Sequence, residues 1–131
     1  MNHKSYIGKL GEDLACEYLI NKGYKILERN YLRKWGELDI IVKDPINTLV
    51  FVEVKTMRQN NPAIPTLQSG QVAGLSPEDN LTAAKLKKLQ RMAQLFVGQF
   101  PGDVDDERGW RIDLIAILLG EENHIEHYEN I

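Results

Sequence analysis

A hairpin of two apolar strands constrains the fold of this chain more than any other part of its sequence. The strands read WGELDIIVK (residues 35–43) and LVFVEVKT (residues 49–56), and DPINT (residues 44–48) supplies turn-forming residues between them. Side chains alternate between the two faces of a strand, so Glu53 and Lys55 lie on the face opposite three valines. That face begins with the apolar Leu49 and Phe51 and then becomes charged. The change is unusual because the composition of the strand indicates burial.

A turn centred on Ile46 predicts which residues of the two strands oppose each other. Asp39 then faces Glu53, and Glu37 faces Lys55. Like charges that are directly opposed on one face repel each other. A divalent cation between them relieves the repulsion, since Mg²⁺ favours carboxylates, carbonyl groups and water as ligands. We therefore predict a metal site here. A half-exposed strand with solvated charges is the alternative, and a one-residue slip in register would separate the two acids.

The remaining hydrophobic pattern predicts two helices and three further strands. The helices cover residues 6–22 and about 82–100, and Ser76-Pro77-Glu78 could start the second helix earlier. The strands cover residues 24–31, 110–119 and the segment from His124 onwards. The predicted order is αβββαββ, an α/β fold with one mixed sheet flanked by helices. The polar stretch between Met57 and Leu75 predicts an irregular segment that is either functional or mobile.

Length and composition bound the class of protein. A chain of 131 residues with 43% hydrophobic and 27% charged residues fits one globular domain, residues 1–131. No apolar run is long enough to span a membrane, and the first residues lack the pattern of a secretory signal. Cys16 is the sole cysteine and is predicted to be a small buried residue. We expect a cytoplasmic protein that does not bind membranes.

The charged residues leave two interpretations open. A net charge of -3 argues against a protein that simply coats nucleic acid. Two short stretches are nevertheless basic, and each is either a solvated face or a surface that contacts phosphates. They comprise Lys25, Arg29, Arg33 and Lys34, and Lys85, Lys87, Lys88 and Arg91.

Several other residues have an ordinary structural explanation. Glu12 lies at the edge of the apolar stripe of the first helix, where a flanking charge is common. His124 and His127 have a spacing that places their rings on opposite faces of a strand, which disfavours a shared metal ion. We expect Trp35 and Trp110 to pack in the core or at the sheet edge rather than to stack on bases.

Two levels of resemblance to known proteins emerge from these motifs. Asp39, the Glu53-x-Lys55 pair and the preceding helical Glu12 resemble the PD-(D/E)XK nuclease signature in its Holliday-junction-resolvase-like form. Five blocks between Gly11 and Leu119 resemble, in order, the YraN family of small bacterial proteins. They are GEDLACEYLINKGYKILERNY, GELDIIVKD, LVFVEVKTMR, TAAKLKKLQRMAQLF and WRIDLIAILL. The resemblance implies a restriction endonuclease-like fold.

The resemblance also implies roles for individual residues. Asp39, Glu53 and the main-chain carbonyl of Val54 would bind Mg²⁺ or Mn²⁺, and Glu12 would complete the acidic cluster. Lys55 would orient or help deprotonate the attacking water and offset charge on the phosphate. The residues expected to contact DNA are Arg29, Arg33, Lys34, Arg58, Lys85 and Lys88.

Three functions follow from these observations. The first is a metal-dependent DNA endonuclease, with branched DNA among its substrates; by analogy to the resolvases, a homodimer would suit a junction with two-fold symmetry. The second is a non-catalytic nucleic-acid-binding module, which would bind DNA in the presence of a chelator. The third is a protein-interaction domain of a larger assembly, which would bind neither metal nor DNA.

Overall fold

The chain forms a five-stranded mixed sheet with helices on both faces. The computed structural model describes residues 5–58 and 75–131. Strands follow the order β1-β2-β3-β4-β5 in the sheet, and only the β3–β4 pair is parallel among these neighbours. The elements are α1 (Tyr6–Asn21), β1 (Lys25–Arg33), β2 (Gly36–Lys43), β3 (Leu49–Arg58), α2 (Pro77–Asn80), α3 (Ala83–Gln99), a 3-10 turn (Pro101–Asp103), β4 (Trp110–Leu119) and β5 (His124–Tyr128).

The predicted α/β layout is confirmed, with one addition. The short helix α2 begins after Ser76 and is separate from α3, so the early start signal produces its own turn of helix. Most of the predicted irregular segment, residues 59–74, lies outside the described residues. No helix among the described residues is long and apolar enough to cross a membrane.

Side-chain caps explain where the two long helices begin. The Ser5 hydroxyl accepts a hydrogen bond from the Gly8 amide at 3.1 Å, and the Thr82 hydroxyl accepts one from the Lys85 amide at 3.1 Å. Such caps satisfy amide groups that have no partner in the first turn of a helix. Both helices therefore start within one residue of the predicted positions.

Two apolar clusters hold the helices against the sheet. On one face α1 packs on Ile40, Val42, Val50 and Val52, and this cluster includes the buried Cys16, as predicted. On the other face α3 packs on Ile41, Leu49 and Phe51, which alternate with those residues, and on Leu38, which does not. That second cluster includes Tyr31, Leu38, Ile41, Leu49, Phe51, Leu89, Met92, Ala93, Phe96 and Ile112. The predicted alternation thus holds in β2 from Val42 back to Ile40 and fails at Leu38, beyond the point where pairing with β3 ends.

The predicted register of the hairpin is confirmed over its apolar half. Ile41 pairs with Phe51, and Ile40 pairs with Val52. The turn is stabilised by Asp44, whose carboxylate accepts hydrogen bonds from the amides of Ile46 at 3.0 Å and Thr48 at 2.8 Å. Asp favours turns because its side chain can bond the backbone two residues ahead.

Pairing between β2 and β3 ends at Ile40 and Val52, before the charged half of the hairpin. Glu37 therefore does not face Lys55, and that prediction was wrong. Glu37 instead opposes Leu32 of β1, because β2 remains paired with β1 up to Gly36 while it leaves β3. The separation of β2 from β3 opens the sheet where the predicted acidic residues lie.

Candidate functional site

Asp39 bridges the gap that opens between β2 and β3. Its Oδ2 atom accepts a hydrogen bond from the amide of Val54 at 2.9 Å, so a side chain takes the place of the next backbone ladder contact. The amide and carbonyl of one strand residue point towards the same neighbouring strand. The Val54 carbonyl, predicted as a metal ligand, is therefore directed to the side of the strand on which Asp39 lies.

Glu53 is a buried acid that contacts both Asp39 and a lysine. Its side chain is 8% exposed, and its Oε2 atom lies 3.1 Å from the ammonium of Lys85. Burial raises the pKa of Glu53 to about 8, with a further rise from the hydrogen bond and negative charge of Asp39, which the Lys85 charge opposes. Burial and the neighbouring Asp39 thus favour the protonated form of Glu53 more strongly than Lys85 favours the ionised form.

Glu12 reaches this pair from α1 because the helix lies unusually close to β3. A Cβ atom on Gly11 would overlap the Thr56 hydroxyl, so only glycine permits this approach. The next residue, Glu12, is 2% exposed rather than at the helix flank. With its amide oriented to donate, Asn30 bonds Glu12 Oε1 at 3.0 Å and Glu37 Oε1 at 3.2 Å. The carboxylates are therefore connected across α1, β1 and β2.

All four residues that the sequence predicted as catalytic line one open depression. Glu12, Asp39, Glu53 and Lys55 surround a cavity of about 270 Å³ between α1 and the diverging strands. An adjoining cavity of about 230 Å³ shares three of its lining residues and extends towards α3. Its lining comprises Glu37, Asp39, Glu53, Lys85, Lys88, Leu89 and Met92.

The donor atoms in this depression suit a hard divalent cation. Carboxylate oxygens of Glu12, Glu37 and Asp39 lie within 4.8 Å of one another. Two oxygens that bind one Mg²⁺ are separated by no more than about 4.2 Å, from a bond length of about 2.1 Å. A small movement of the side chains would therefore bring Asp39 to an ion and Glu12 and Glu37 to that ion or to its bound water. Because every donor is an oxygen, the residues fit Mg²⁺ or Mn²⁺ better than a soft metal.

Glu37 is the member of the cluster to which the sequence assigned no metal-binding or catalytic role. It lies two residues before Asp39 and therefore shares its strand face. That spacing was a usable signal, but the incorrect pairing with Lys55 gave Glu37 another explanation. Local periodicity therefore predicted that Glu37 and Asp39 share a face of β2. Which residues Glu37 contacts depends on where the pairing between β2 and β3 ends.

The residues predicted to contact DNA separate into distinct environments. Lys85 and Lys88 lie beside the carboxylates, although Lys85 is ion-paired with Glu53. Arg29 is held by Asp13 at 2.7 Å and approaches Glu12 at 3.8 Å. The other three lie elsewhere: Arg33 and Lys34 at the end of the β1–β2 hairpin, and Arg58 in another depression beside Leu10 and Leu119.

A second acidic cluster is built as an internal ion-pair network. Asp113 is fully buried, and its carboxylate oxygens lie 2.9 Å from Arg111 Nε and 2.8 Å from His127 Nε2. Arg111 also binds Asp44 at 2.8 Å, and His127 Nδ1 lies 3.2 Å from the Tyr18 hydroxyl. These contacts tie β5 and the hairpin turn to β4. These contacts explain the burial of Asp113, so we interpret this cluster as structural.

The raised pKa of Glu53 predicts an unusual pH dependence of stability in the absence of metal. Native Glu53 prefers its protonated form, so its contribution is complete below pH 4.5 and is lost as the pH rises through about 8. We expect the melting temperature, measured with a chelator present, to fall between pH 5 and pH 9. Glu53→Gln cannot ionise and should flatten this fall, while an equal slope in both proteins would contradict the assignment.

Comparison with known proteins gives consistent matches along most of the chain. The model of a family described as "Uncharacterised protein family UPF0102" matches residues 11–117. A UPF0102 protein of Desulforamulus reducens is 35% identical over 128 residues, covering 95% of this chain and 91% of that protein. One from Clostridium botulinum (strain Loch Maree / Type A3) is 38% identical over 117 residues, covering 89% and 83%. The structure of Pyrococcus furiosus SfsA in complex with Ca²⁺ covers 92% of this chain and 60% of that chain, but its TM-score of 0.35 and identity of 14% carry no functional conclusion.

Proposed function

This chain belongs to the uncharacterised protein family UPF0102, and we propose that it is a metal-dependent endonuclease that hydrolyses phosphodiester bonds in DNA. The observation that supports the proposal is the convergence of Glu12, Glu37, Asp39 and Glu53 on two adjoining open cavities. Adjacent buried carboxylates are unfavourable unless a proton or a cation lies between them. A cation held there could assist the hydrolysis of a phosphodiester bond.

The acidic residues would hold the ion and order the water around it. Asp39, Glu53 and the carbonyl of Val54 would be its ligands, and Glu12 and Glu37 would accept hydrogen bonds from its water shell. Bound Mg²⁺ or Mn²⁺ would supply positive charge beside the scissile phosphate and increase the acidity of water there.

The lysines at the edge of the depression would act on the phosphate and the nucleophile. Lys55 is exposed and lines the same cavity as the carboxylates, so it can orient the attacking water and offset charge on the phosphate. Lys85 has half of its side chain exposed, and its ammonium group lies 3.1 Å from Glu53 Oε2. We infer that Lys85 releases Glu53 when an ion binds and then contacts a DNA phosphate, with Lys88 beside it.

We propose DNA as the substrate, with branched forms included. The open shape of the depression supports a polymeric substrate, because its carboxylates can be approached between α1 and α3. A homodimer would place two such sites on a junction of matching two-fold symmetry. Sedimentation of the protein with and without a four-way junction tests this arrangement.

Metal binding should stabilise the folded protein through Asp39. A ligand that binds only the native state adds about 2.7 kcal/mol at a hundredfold excess over its dissociation constant. Thermal melting with increasing Mg²⁺ or Mn²⁺ should therefore show a rising transition, and Asp39→Asn should lose most of the rise. Asp106→Asn, which changes an exposed acid of a distant loop, is the matched control. Equal shifts in wild type and Asp39→Asn would mean that the ion binds elsewhere.

Cleavage assays with Mn²⁺ on branched, single-stranded and blunt duplex DNA test the enzymatic proposal directly. Cleavage that stops on addition of a chelator is the expected result. If no form of DNA is cut but binding persists in the chelator, the protein is a nucleic-acid-binding module. If neither metal nor DNA binds, an interaction domain becomes the better description.

A further inference from the structure

Trp35 is a large aromatic side chain that the fold leaves 50% exposed. It occupies, with Lys34, the two-residue turn between β1 and β2. Packing was expected for both tryptophans of the chain, and this is confirmed for Trp110, whose ring meets Phe51 edge-on at 5.7 Å. Trp35 is not a core residue, because it stands half exposed in the turn beside the edge strand β1. A tryptophan that is half exposed at the end of a hairpin contributes little to the core and is available to a ligand.

The turn that carries Trp35 is anchored to the rest of the protein. A Cβ atom on Gly36 would lie 2.7 Å from the sulfur of Met92, so the end of the hairpin rests directly on α3. On the other side of the turn, the Arg33 guanidinium lies 3.9 Å from the centre of the Tyr31 ring and donates to the Leu32 carbonyl at 2.8 Å. The backbone beneath Trp35 is therefore held in place, which lowers the entropy cost of binding there.

This turn lies at the edge of the candidate active site. The α3 residues that Gly36 approaches, Lys88 and Met92, also line the cavity that contains Asp39. Four residue steps separate Asp39 from Trp35, just before the start of β2, and in an extended chain they span about 13 Å at about 3.3 Å per residue. That distance corresponds to about four stacked nucleotides at about 3.4 Å each. A base at Trp35 would thus belong to the same short stretch of DNA as the phosphate at Asp39.

The charges around Trp35 match a nucleic acid strand. Lys34 is exposed on the same turn, Arg33 precedes it, and Lys88 is exposed on the neighbouring helix. Surfaces that bind single strands combine aromatic rings, on which bases stack, with cations that follow the phosphates. The bases inside an intact duplex have both faces covered by their neighbours, so they cannot stack on a protein side chain.

We propose that Trp35 is a stacking platform for an unpaired nucleobase of DNA, with Lys34 and Lys88 contacting the flanking phosphates. The nature of the ligand rests on the proposed nuclease function, which this inference makes more specific. The preferred substrate then carries unpaired nucleotides within a few residues of the scissile phosphate, as flaps, gaps and branch points do.

Binding measured in a chelator tests the platform without any cleavage. Trp35→Ala should bind a single-stranded oligonucleotide about tenfold more weakly than wild type, while its affinity for a blunt duplex changes by less than about twofold. Trp35→Phe keeps a ring and should retain most of the affinity. The matched control is Ile46→Ala, which removes another exposed apolar side chain (58% exposed) from the turn at the opposite end of β2.

Fluorescence gives an independent readout of the same contact. Single-stranded DNA should quench the emission of the wild type, and Trp35→Phe, which leaves Trp110 as the remaining tryptophan, should lose the quenching. The platform is overturned if Trp35→Ala keeps wild-type affinities or loses affinity equally for single-stranded and duplex DNA. It is also overturned if Trp35→Ala differs from wild type in oligomeric state without DNA, because Trp35 would then be a contact between protein copies. A strand preference that depends on Trp35 in a protein that cuts no DNA would instead overturn the nuclease and leave the platform standing.

Discussion

Asp113→Ala should lower the free energy of unfolding by about 3–5 kcal/mol, the range expected when one partner of a buried ion pair is removed. Asp113 is fully buried and also accepts a hydrogen bond from the Asn130 amide at 3.0 Å. Its loss removes an acceptor from Arg111 and another from His127, both of which are largely enclosed. Two polar groups would then remain in a medium that solvates them poorly.

Urea denaturation of wild type and Asp113→Ala measures this difference. Asp106→Ala removes an exposed acid of the same charge and should leave the midpoint almost unchanged. A loss below about 1 kcal/mol for Asp113→Ala would mean that the network is worth no more than a surface ion pair.

Asp113 and Glu53 should also respond in opposite ways to pH. Burial alone would raise the pKa of Asp113, but hydrogen bonds from His127 and Arg111 outweigh it and lower the pKa. Its stabilising effect is therefore present above about pH 4 and lost in acid, whereas that of Glu53 is lost as the pH rises through about 8. Both acids have a cationic neighbour, but for Glu53 burial and the adjacent Asp39 outweigh the charge of Lys85, whereas for Asp113 the hydrogen bonds outweigh burial.

The sequence predicted the parts of this structure that depend on local periodicity. Alternation assigned the faces of β2 and β3, and the turn residue Asp44 set their register through its hydrogen bonds to the backbone. Asp39 and Glu53 do meet through their side chains, but they are not a pair of the β2–β3 ladder, which ends at Ile40 and Val52. Helix starts followed from Ser5 and Thr82, since a cap is a contact within one helical turn.

Contacts between distant elements could not be predicted in the same way. Periodicity indicates the face on which Lys85 lies, but the ion pair with Glu53 depends on how closely α3 approaches the gap beside β3. The same limit applies to Arg29, expected to contact DNA but bound to Asp13, and to Trp35, which composition alone would assign to the interior. In each case the deciding factor is tertiary geometry rather than the preference of a residue type.

Lys55→Ala should slow DNA cleavage by about a hundredfold or more while leaving metal binding nearly intact. Lysine is not a metal ligand, so the stabilisation by Mg²⁺ should persist in this variant. Its charge lies at the cavity that contains Asp39 and Glu53, where it would orient the attacking water and offset charge on the phosphate. Removing one such electrostatic or acid-base contributor costs about two to three orders of magnitude in rate.

The comparison that isolates this role uses three variants in one assay with Mn²⁺ and a branched substrate. Glu53→Ala should abolish both cleavage and the metal-dependent rise in melting temperature, because it removes a ligand. Lys87→Ala removes an exposed lysine of α3 that does not line the described cavities, and it should cleave like wild type. If Lys55→Ala cleaves at the wild-type rate, the lysine is only a surface charge. If Lys55→Ala instead loses metal stabilisation as Glu53→Ala does, Lys55 acts by shaping the ion site. A residue that acts only on water and phosphate would leave that site unchanged.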